Sequence, residues 1–270
     1  MKITKLSATK LEQFVNCPHG FLLKYVKRQA KAGSPSAGMM FGALVHNILD
    51  EFHKWYNDEK DLPVELEALK QVLFYRIKAI TIERVGKHNA KNPRLKKHAS
   101  YIFNQRIHPY YKYFMKHELY KKKFESEKSF SLTMEEIAET LPKEKLDKGW
   151  EQYKEVILVG KIDLYIEPNV IIDFKTQDPK NFSKDMVDNF QVKIYTLIFD
   201  SDMNFIYLFL NNMALAKDIT ISKETRVEKF NTIIRMIGIL ESTRKYNKNP
   251  KSCDWCIFKE ICGKTRRKLV

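Results

Sequence analysis

Residues 160–176 read GKIDLYIEPNVIIDFKT, and three of them, Asp163, Asp173 and Lys175, are of types that could do chemistry together. The apolar-rich runs Ile162 to Ile166 and Val170 to Phe174 flank Glu167-Pro168-Asn169, a pattern that predicts a β-hairpin turning at Pro-Asn. Side chains alternate along a strand, so Lys175 shares a face with Asp173, while Asp163 comes from the other strand. Two carboxylates and an ammonium on one patch suit metal-assisted phosphodiester hydrolysis. Hard divalent ions such as Mg²⁺ take carboxylate oxygens and keep several waters, and a nearby lysine can orient a water or neutralise charge on the phosphate. Solvent-exposed strand acids paired with a lysine produce the same short pattern without any chemistry. The remaining residues must decide between the two readings.

Further candidates lie along the chain. Met39 to Tyr56 carries Phe41, Leu44, Val45, Ile48, Leu49, Phe52 and Trp55 as a helical stripe with His46 beside it. That histidine becomes a candidate ligand only if the helix docks near the acidic hairpin. Phe190 to Phe199 places Gln191 and Tyr195 four apart, on one face of a helix. Phe124 to Met134 predicts an edge strand carrying Glu125 and Glu127, the latter a candidate metal or water-positioning acid. The C-terminal stretch contains Cys253, Cys256 and Cys262, and the fourth cysteine, Cys17, stands at the other end of the chain. Four thiolates in that arrangement are compatible with an iron-sulfur cluster or zinc, either of which would clasp the termini together.

The elements that must position these groups are legible in outline. Leu6 to Lys27 predicts helical turns capped by Ser7 and interrupted at Cys17-Pro18, followed by a loop over 30–38. Residues 58–120 form a basic, aromatic, helical segment containing the run Tyr110-Tyr111-Lys112-Tyr113-Phe114. Such a segment can track phosphates and stack unpaired bases, or it can be a solvated basic face with its aromatics in the core. Residues 135–155 are polar and read as a loop with a short helical piece. Strands are expected over Val156 to Val159, Phe205 to Leu210 and Ala214 to Ile221, the last two joined at Asn211-Asn212. A loop is expected over 178–189, and a long amphipathic helix from Lys223 to Lys245.

Composition narrows the classes. The 270 residues, 44% hydrophobic and 12% aromatic, can fill a sizeable core. A formal net charge of +15 points to a polyanionic partner. No apolar run approaches the roughly 18 residues of a membrane span, and the N-terminus lacks a signal-peptide core, so a soluble, cytoplasmic protein is expected. In that compartment four cysteines are expected to bind metal or be buried rather than form disulfides. There is no G-x-x-x-x-G-K-[ST] loop, hence no recognisable helicase motor.

Taken together, LSATKLEQFVNCPHGFLLKYV, GALVHNILDEF, GKIDLYI, IIDFKT, QVKIY and the terminal C-x₂-C-x₅-C resemble the PD-(D/E)XK nuclease superfamily. The likeness is to the RecB-like nucleases with an iron-sulfur clasp, of the CRISPR-adaptation, AddB and exonuclease V types. It implies an α/β (α+β) fold: a restriction-endonuclease-like core with a central mixed β-sheet flanked by helices, a basic helical insertion over 58–120, and a clasp joining Cys17 to 253–262 within a single domain, 1–270. It implies His46, Asp163, Asp173 and the carbonyl of Phe174 as ligands of Mg²⁺ or Mn²⁺, and Lys175 as the catalytic lysine. Gln191 and Tyr195 match the supporting Q-x-x-x-Y element, which contacts DNA. Cys17, Cys253, Cys256 and Cys262 match the ligands of a [4Fe-4S] cluster. Aspartate stands at position 173 where the family often has glutamate. The implied activity is metal-dependent DNA exonuclease action on single strands or ends, in recombination, repair or processing, with a helicase or recombination partner. A CRISPR-adaptation nuclease working with integrase partners and a non-catalytic iron-sulfur DNA-binding protein are the alternatives.

Overall fold

The computed structural model describes residues 2–29, 37–93, 96–179, 189–210, 215–258 and 262. Most of the loops expected over 30–38 and 178–189, and the turn at 211–212, fall outside these residues. Six strands form one mixed sheet: β1 Lys5–Leu6, β2 Phe124–Thr133, β3 Ile157–Ile166, β4 Val170–Lys175, β5 Met203–Phe209 and β6 Leu215–Ile221. The long strand β3 is its axis. On one side β3 pairs antiparallel with β2 from Ile157 to Ile166, with an interruption at Asp163. Its other side is shared by β4, antiparallel at 164–166, and β1, parallel at 157–158. Beyond β4 the order continues with β5, parallel to β4, and then β6, antiparallel to β5. The hairpin expected from the sequence is present, with Ile166 paired to Val170 and Asn169 at φ 63° in the turn.

Helices cover both faces. On one face, α1 (Ala8–Asn16), α8 (Phe190–Ile198) and α9 (Arg226–Ser242) bury Leu11, Val192, Ile194, Phe230 and Ile233 against Ile171, Phe205 and Tyr207 of the sheet. Ser7 caps α1 through its hydroxyl, as its position ahead of the apolar turn requires. The short α2 (Pro18–Phe21) follows directly, and α7 (Met134–Glu139) leaves β2 through a capping box between Thr133 and Glu136. On the opposite face, α3 (Ala37–Asp58) turns Leu44, Val45, Ile48, Leu49 and Phe52 inward, packed by α4 (Leu66–Lys91), α5 (Ala99–Ile102) and α6 (His108–Lys116). Tyr110 and Phe114, both fully buried, pack with Phe52, Phe124 and Phe174. Those two rings therefore serve as core and not as platforms for bases, while Tyr111, half-buried, donates its hydroxyl to the Lys70 carbonyl at 2.9 Å.

Two irregularities in the sheet prepare the site. First, β4 pairs with β3 only as far as Leu164 opposite Ile172; past that pair no ladder pairing joins them. Second, β2 and β3 change faces together. Leu158, Ile162, Phe130 and Leu132 pack on the α8 side, whereas Leu164, Ile166 and Phe124 pack on the α3 side, although all are even-numbered. The change falls at Glu127 and Asp163, where the register is interrupted between the pairs Ser126–Leu164 and Lys128–Ile162 and Glu127 takes φ 54°. An alternating strand cannot switch faces without such a break in its pleat.

Candidate active site

Asp163 stands where β3 and β4 part, and its carboxylate takes over the pairing that the strands give up. Its Oδ2 accepts the N–H of Phe174 at 2.7 Å, and its Oδ1 lies 3.2 Å from Nδ1 of His46 on α3. Asp173 follows on β4, its side chain 5% exposed, with Oδ2 2.7 Å from the Lys175 ammonium. The helix α8 supplies the connecting group. Gln191 donates its Nε2 to Oδ1 of Asp173, accepts from Lys175 Nζ at 3.2 Å through Oε1, and donates to the Tyr195 hydroxyl at 3.2 Å. Tyr195 in turn donates to the Lys161 carbonyl at 2.6 Å, on β3 between its pairings with β1 and β4. The i,i+4 spacing of Gln191 and Tyr195 thus joins β3 to β4 across the gap between them. Phe130 lies over Gly160 and meets the Tyr195 ring edge-on at 5.7 Å; a Cβ on Gly160 would come within 2.1 Å of the Phe130 ring.

His46, Asp163, Asp173, Phe174, Lys175 and Gln191 line one open cavity of about 330 Å³. Glu127 joins from β2: one donor atom each from His46, Glu127 and Asp163 lie within 4.8 Å of one another. Glu127 also pairs with Lys161. A set of carboxylate oxygens with one imidazole nitrogen, so closely drawn, fits a hard divalent cation.

The electrostatics follow from burial and crowding. Burial pushes the Asp173 carboxyl above its ordinary range against the pull of Lys175, and the neighbouring Asp163 adds to the rise. Burial opposes protonation of His46, yet its bond to Asp163 and the charges of Asp163, Asp173 and Glu127 outweigh it and lift its pKa. Burial, and then the charge of Asp173, hold the phenols of Tyr195 and Tyr207 well above theirs. One acid went unnoticed in the sequence. Glu12 on α1 is raised by burial, lowered by Lys175 and raised by Asp173, which sets it within electrostatic reach of both. A carboxylate on an N-terminal helix gives no periodic signal of that proximity.

The four cysteines also come together. Cys17, buried between α1 and α2, accepts the Gly20 N–H at 3.3 Å, and Cys256 accepts that of Phe258 at 3.4 Å. Burial raises the Cys262 thiol despite Lys248, and the nearness of Cys256, Cys17 and Cys253 raises it further. Ordinary hydrogen bonds fasten the same place: His19 N–H to the Asn247 carbonyl at 3.1 Å and Asn249 Nδ2 to the Asn16 carbonyl at 2.7 Å.

Residues 5–263 match the profile of the PD-(D/E)XK nuclease superfamily, and the chain belongs to that superfamily. Its mixed sheet between helical layers is the restriction-endonuclease-like fold expected from the sequence. Among solved structures, the chain is similar to a candidate exonuclease from Eubacterium rectale, at 12% identity and a TM-score of 0.49, covering 99% of this chain and 91% of that one. It is also similar to the protein SSO0001, at 13% identity and a TM-score of 0.40, covering 97% and 87%. The search among curated proteins gave no match. The superfamily establishes a nuclease, with the use of a divalent metal and a DNA substrate that this implies. Among the described residues, no helix is long and apolar enough to cross a membrane.

Proposed function

We propose that the chain is a single-domain, Mg²⁺- or Mn²⁺-dependent DNA exonuclease of RecB-like type with a [4Fe-4S] clasp. The observation that carries this reading is the convergence of His46, Asp163, Asp173 and Lys175, from α3, β3 and β4, on one cavity with Gln191 of α8 tying the last two together. His46, Asp163 and Asp173 would hold the metal, with the Phe174 carbonyl beside them and Glu127 as a further oxygen donor. The ion supplies positive charge to the scissile phosphate and makes water a better nucleophile. Lys175 then has two tasks within reach of its ammonium: orienting the attacking water and neutralising charge as it develops on the phosphate. Gln191 fixes both the lysine and Asp173, and Tyr195 fixes Gln191. These two are positioning residues, working through the hydrogen bonds already described.

End-directed action on single strands or frayed ends suits a basic chain whose sequence carries no motor motif. For the clasp, the nearness of Cys17, Cys253, Cys256 and Cys262 suits four-thiolate binding, and the C-x₂-C-x₅-C pattern with one upstream cysteine, shared with the RecB-like nucleases, supports a cluster over zinc. The test is degradation of end-labelled single-stranded and duplex DNA with Mn²⁺ or Mg²⁺, alongside iron and sulfide analysis of anaerobically prepared protein. Metal-dependent loss of terminal nucleotides, abolished in Asp173→Ala, is the expected result. Equal activity in that variant would overturn the assignment of the site, and a colourless, zinc-replete protein would overturn the cluster.

A further inference from the structure

A second cavity, of about 280 Å³, lies between α3 and α4, and its α4 wall is basic where a helix pair is ordinarily apolar. On α4 it is lined by Arg84, Lys87, His88 and Lys91. These positions, i, i+3, i+4 and i+7, form one stripe about 10 Å long. The apolar stripe of α4, through Leu73, Ile77 and Ile80, is buried, and at 100° per residue Arg84, Lys87, His88 and Lys91 continue that same line, so the seam with α3 changes from apolar to basic beyond Ile80. On α3 the wall includes Ala43 and Asn47. Their neighbours Gly42 and His46 face the active site: a Cβ on Gly42 would lie 3.2 Å from the Thr176 hydroxyl, and His46 bonds Asp163. Successive residues of a helix are rotated by about 100°, so the two cavities occupy adjacent flanks of the same helix.

The charges of this stripe are available to a ligand. Lys87 pairs with Glu83, but both side chains are more than half exposed, and such pairs exchange readily. Lys91 has no carboxylate within 4 Å among the described residues, and the buried Nε2 of His88 has no hydrogen-bond partner among them. Arg84 pairs with Glu51 of α3, which closes the opposite end of the stripe. The nearby Lys97 and Arg106 both lie over the ring of Phe41, one residue before Gly42, and extend the positive potential toward the active-site mouth.

We infer that the α3–α4 groove binds backbone phosphates of the DNA strand cleaved at the active site, with Lys87 and Lys91 as the phosphate contacts. This rests on the nuclease reading for its substrate, but binding can be measured without cleavage. The experiment compares wild type with Lys87→Gln/Lys91→Gln, both exposed positions, using a fluorescent twelve-nucleotide oligothymidylate in Ca²⁺ across a salt series. Each lost phosphate contact lowers the slope of log affinity against log salt by about 0.7 for single strands. The double variant should therefore lose about 1.4 from the slope, so that between 50 and 200 mM salt wild type loses about sevenfold more affinity than the variant. Mn²⁺-dependent hydrolysis of bis(p-nitrophenyl) phosphate, too small to reach the groove, should be unchanged. A charge-matched control, Lys143→Gln/Lys145→Gln, lies on a turn joined to α9 through Asn231 on the other face. An unchanged slope, or the same loss in the control, overturns the groove. Failure of wild type to hydrolyse either DNA or the small diester would instead overturn the nuclease reading, whatever the salt slope shows.

Discussion

Replacing Lys175 with methionine removes one ammonium and keeps the aliphatic stem that places Nζ 5.3 Å from the centre of the Tyr207 ring. Lys175 Nζ is held 2.7 Å from Asp173 and 3.2 Å from Gln191, so it is oriented before any substrate arrives. Loss of one preorganised donor aimed at developing charge typically costs about 10²–10³ in rate, or roughly 2.7–4 kcal/mol of transition-state stabilisation. A second effect runs through Asp173. Its carboxyl is raised by burial and pulled back down by Lys175, so Lys175→Met drives it further toward the neutral acid. The measurement is single-turnover cleavage of end-labelled DNA at saturating Mn²⁺, with thermal unfolding recorded on the same samples. A folded variant cleaving within threefold of wild type would refute the role of Lys175. So would a deficit fully repaired by raising Mn²⁺, since that describes a change in metal affinity and not in the chemical step.

Other consequences are equally open to measurement. His53 is buried against the Tyr110 hydroxyl, and burial lowers its pKa from 6.5 to about 3. The unfolded chain therefore takes up a proton as pH falls through about 6.5 and the folded chain does not, so stability complete above that pH is lost at about 1.4 kcal/mol per unit, reaching about 2 kcal/mol at pH 5. In His53→Gln the difference in denaturant unfolding between pH 7 and pH 5 should shrink by that amount, and an identical difference would count against a neutral buried histidine. Gly160→Ala should cost about 1–3 kcal/mol and lower activity by displacing Phe130 from Tyr195, with Phe130→Leu restoring both; independent, additive effects would break the link. Cys256→Ser should deplete iron and destabilise the protein by about 2–5 kcal/mol, as for a lost cross-link, with proteolysis appearing near both termini. Cleavage confined to the C-terminal end would argue against a clasp.

The parts that sequence disclosed are those whose signal is local. The hairpin, the D-x-K face, the stripe of α3 and the i,i+4 pair on α8 follow from periodicity, and the structure draws His46, Asp163, Asp173, Lys175 and Gln191 into one cavity, with Tyr195 behind Gln191. What stayed hidden depends on tertiary placement. FESEKSFSLT reads as a plain edge strand, and nothing in it marks Glu127 as the position where two strands change faces. The polar stretch 135–155 conceals the buried Trp150 among short turns, because one isolated aromatic has no period to reveal it. The run Tyr110 to Phe114 reads equally well as base platform or core, and only the docking of α6 on α3 settles Tyr110 and Phe114 as core.

The β2–β3 ribbon lends its first half to one hydrophobic core and its second half to the other, with Asp163 at the crossing. Neither helical layer can lift away without loosening a strand that the opposite layer also grips. The two halves of the molecule are thereby bound into one unit of unfolding, and slow hydrogen exchange should be shared across both faces rather than divided between them. Asp163 sits at the hinge common to both, where an opening on either side would be felt first.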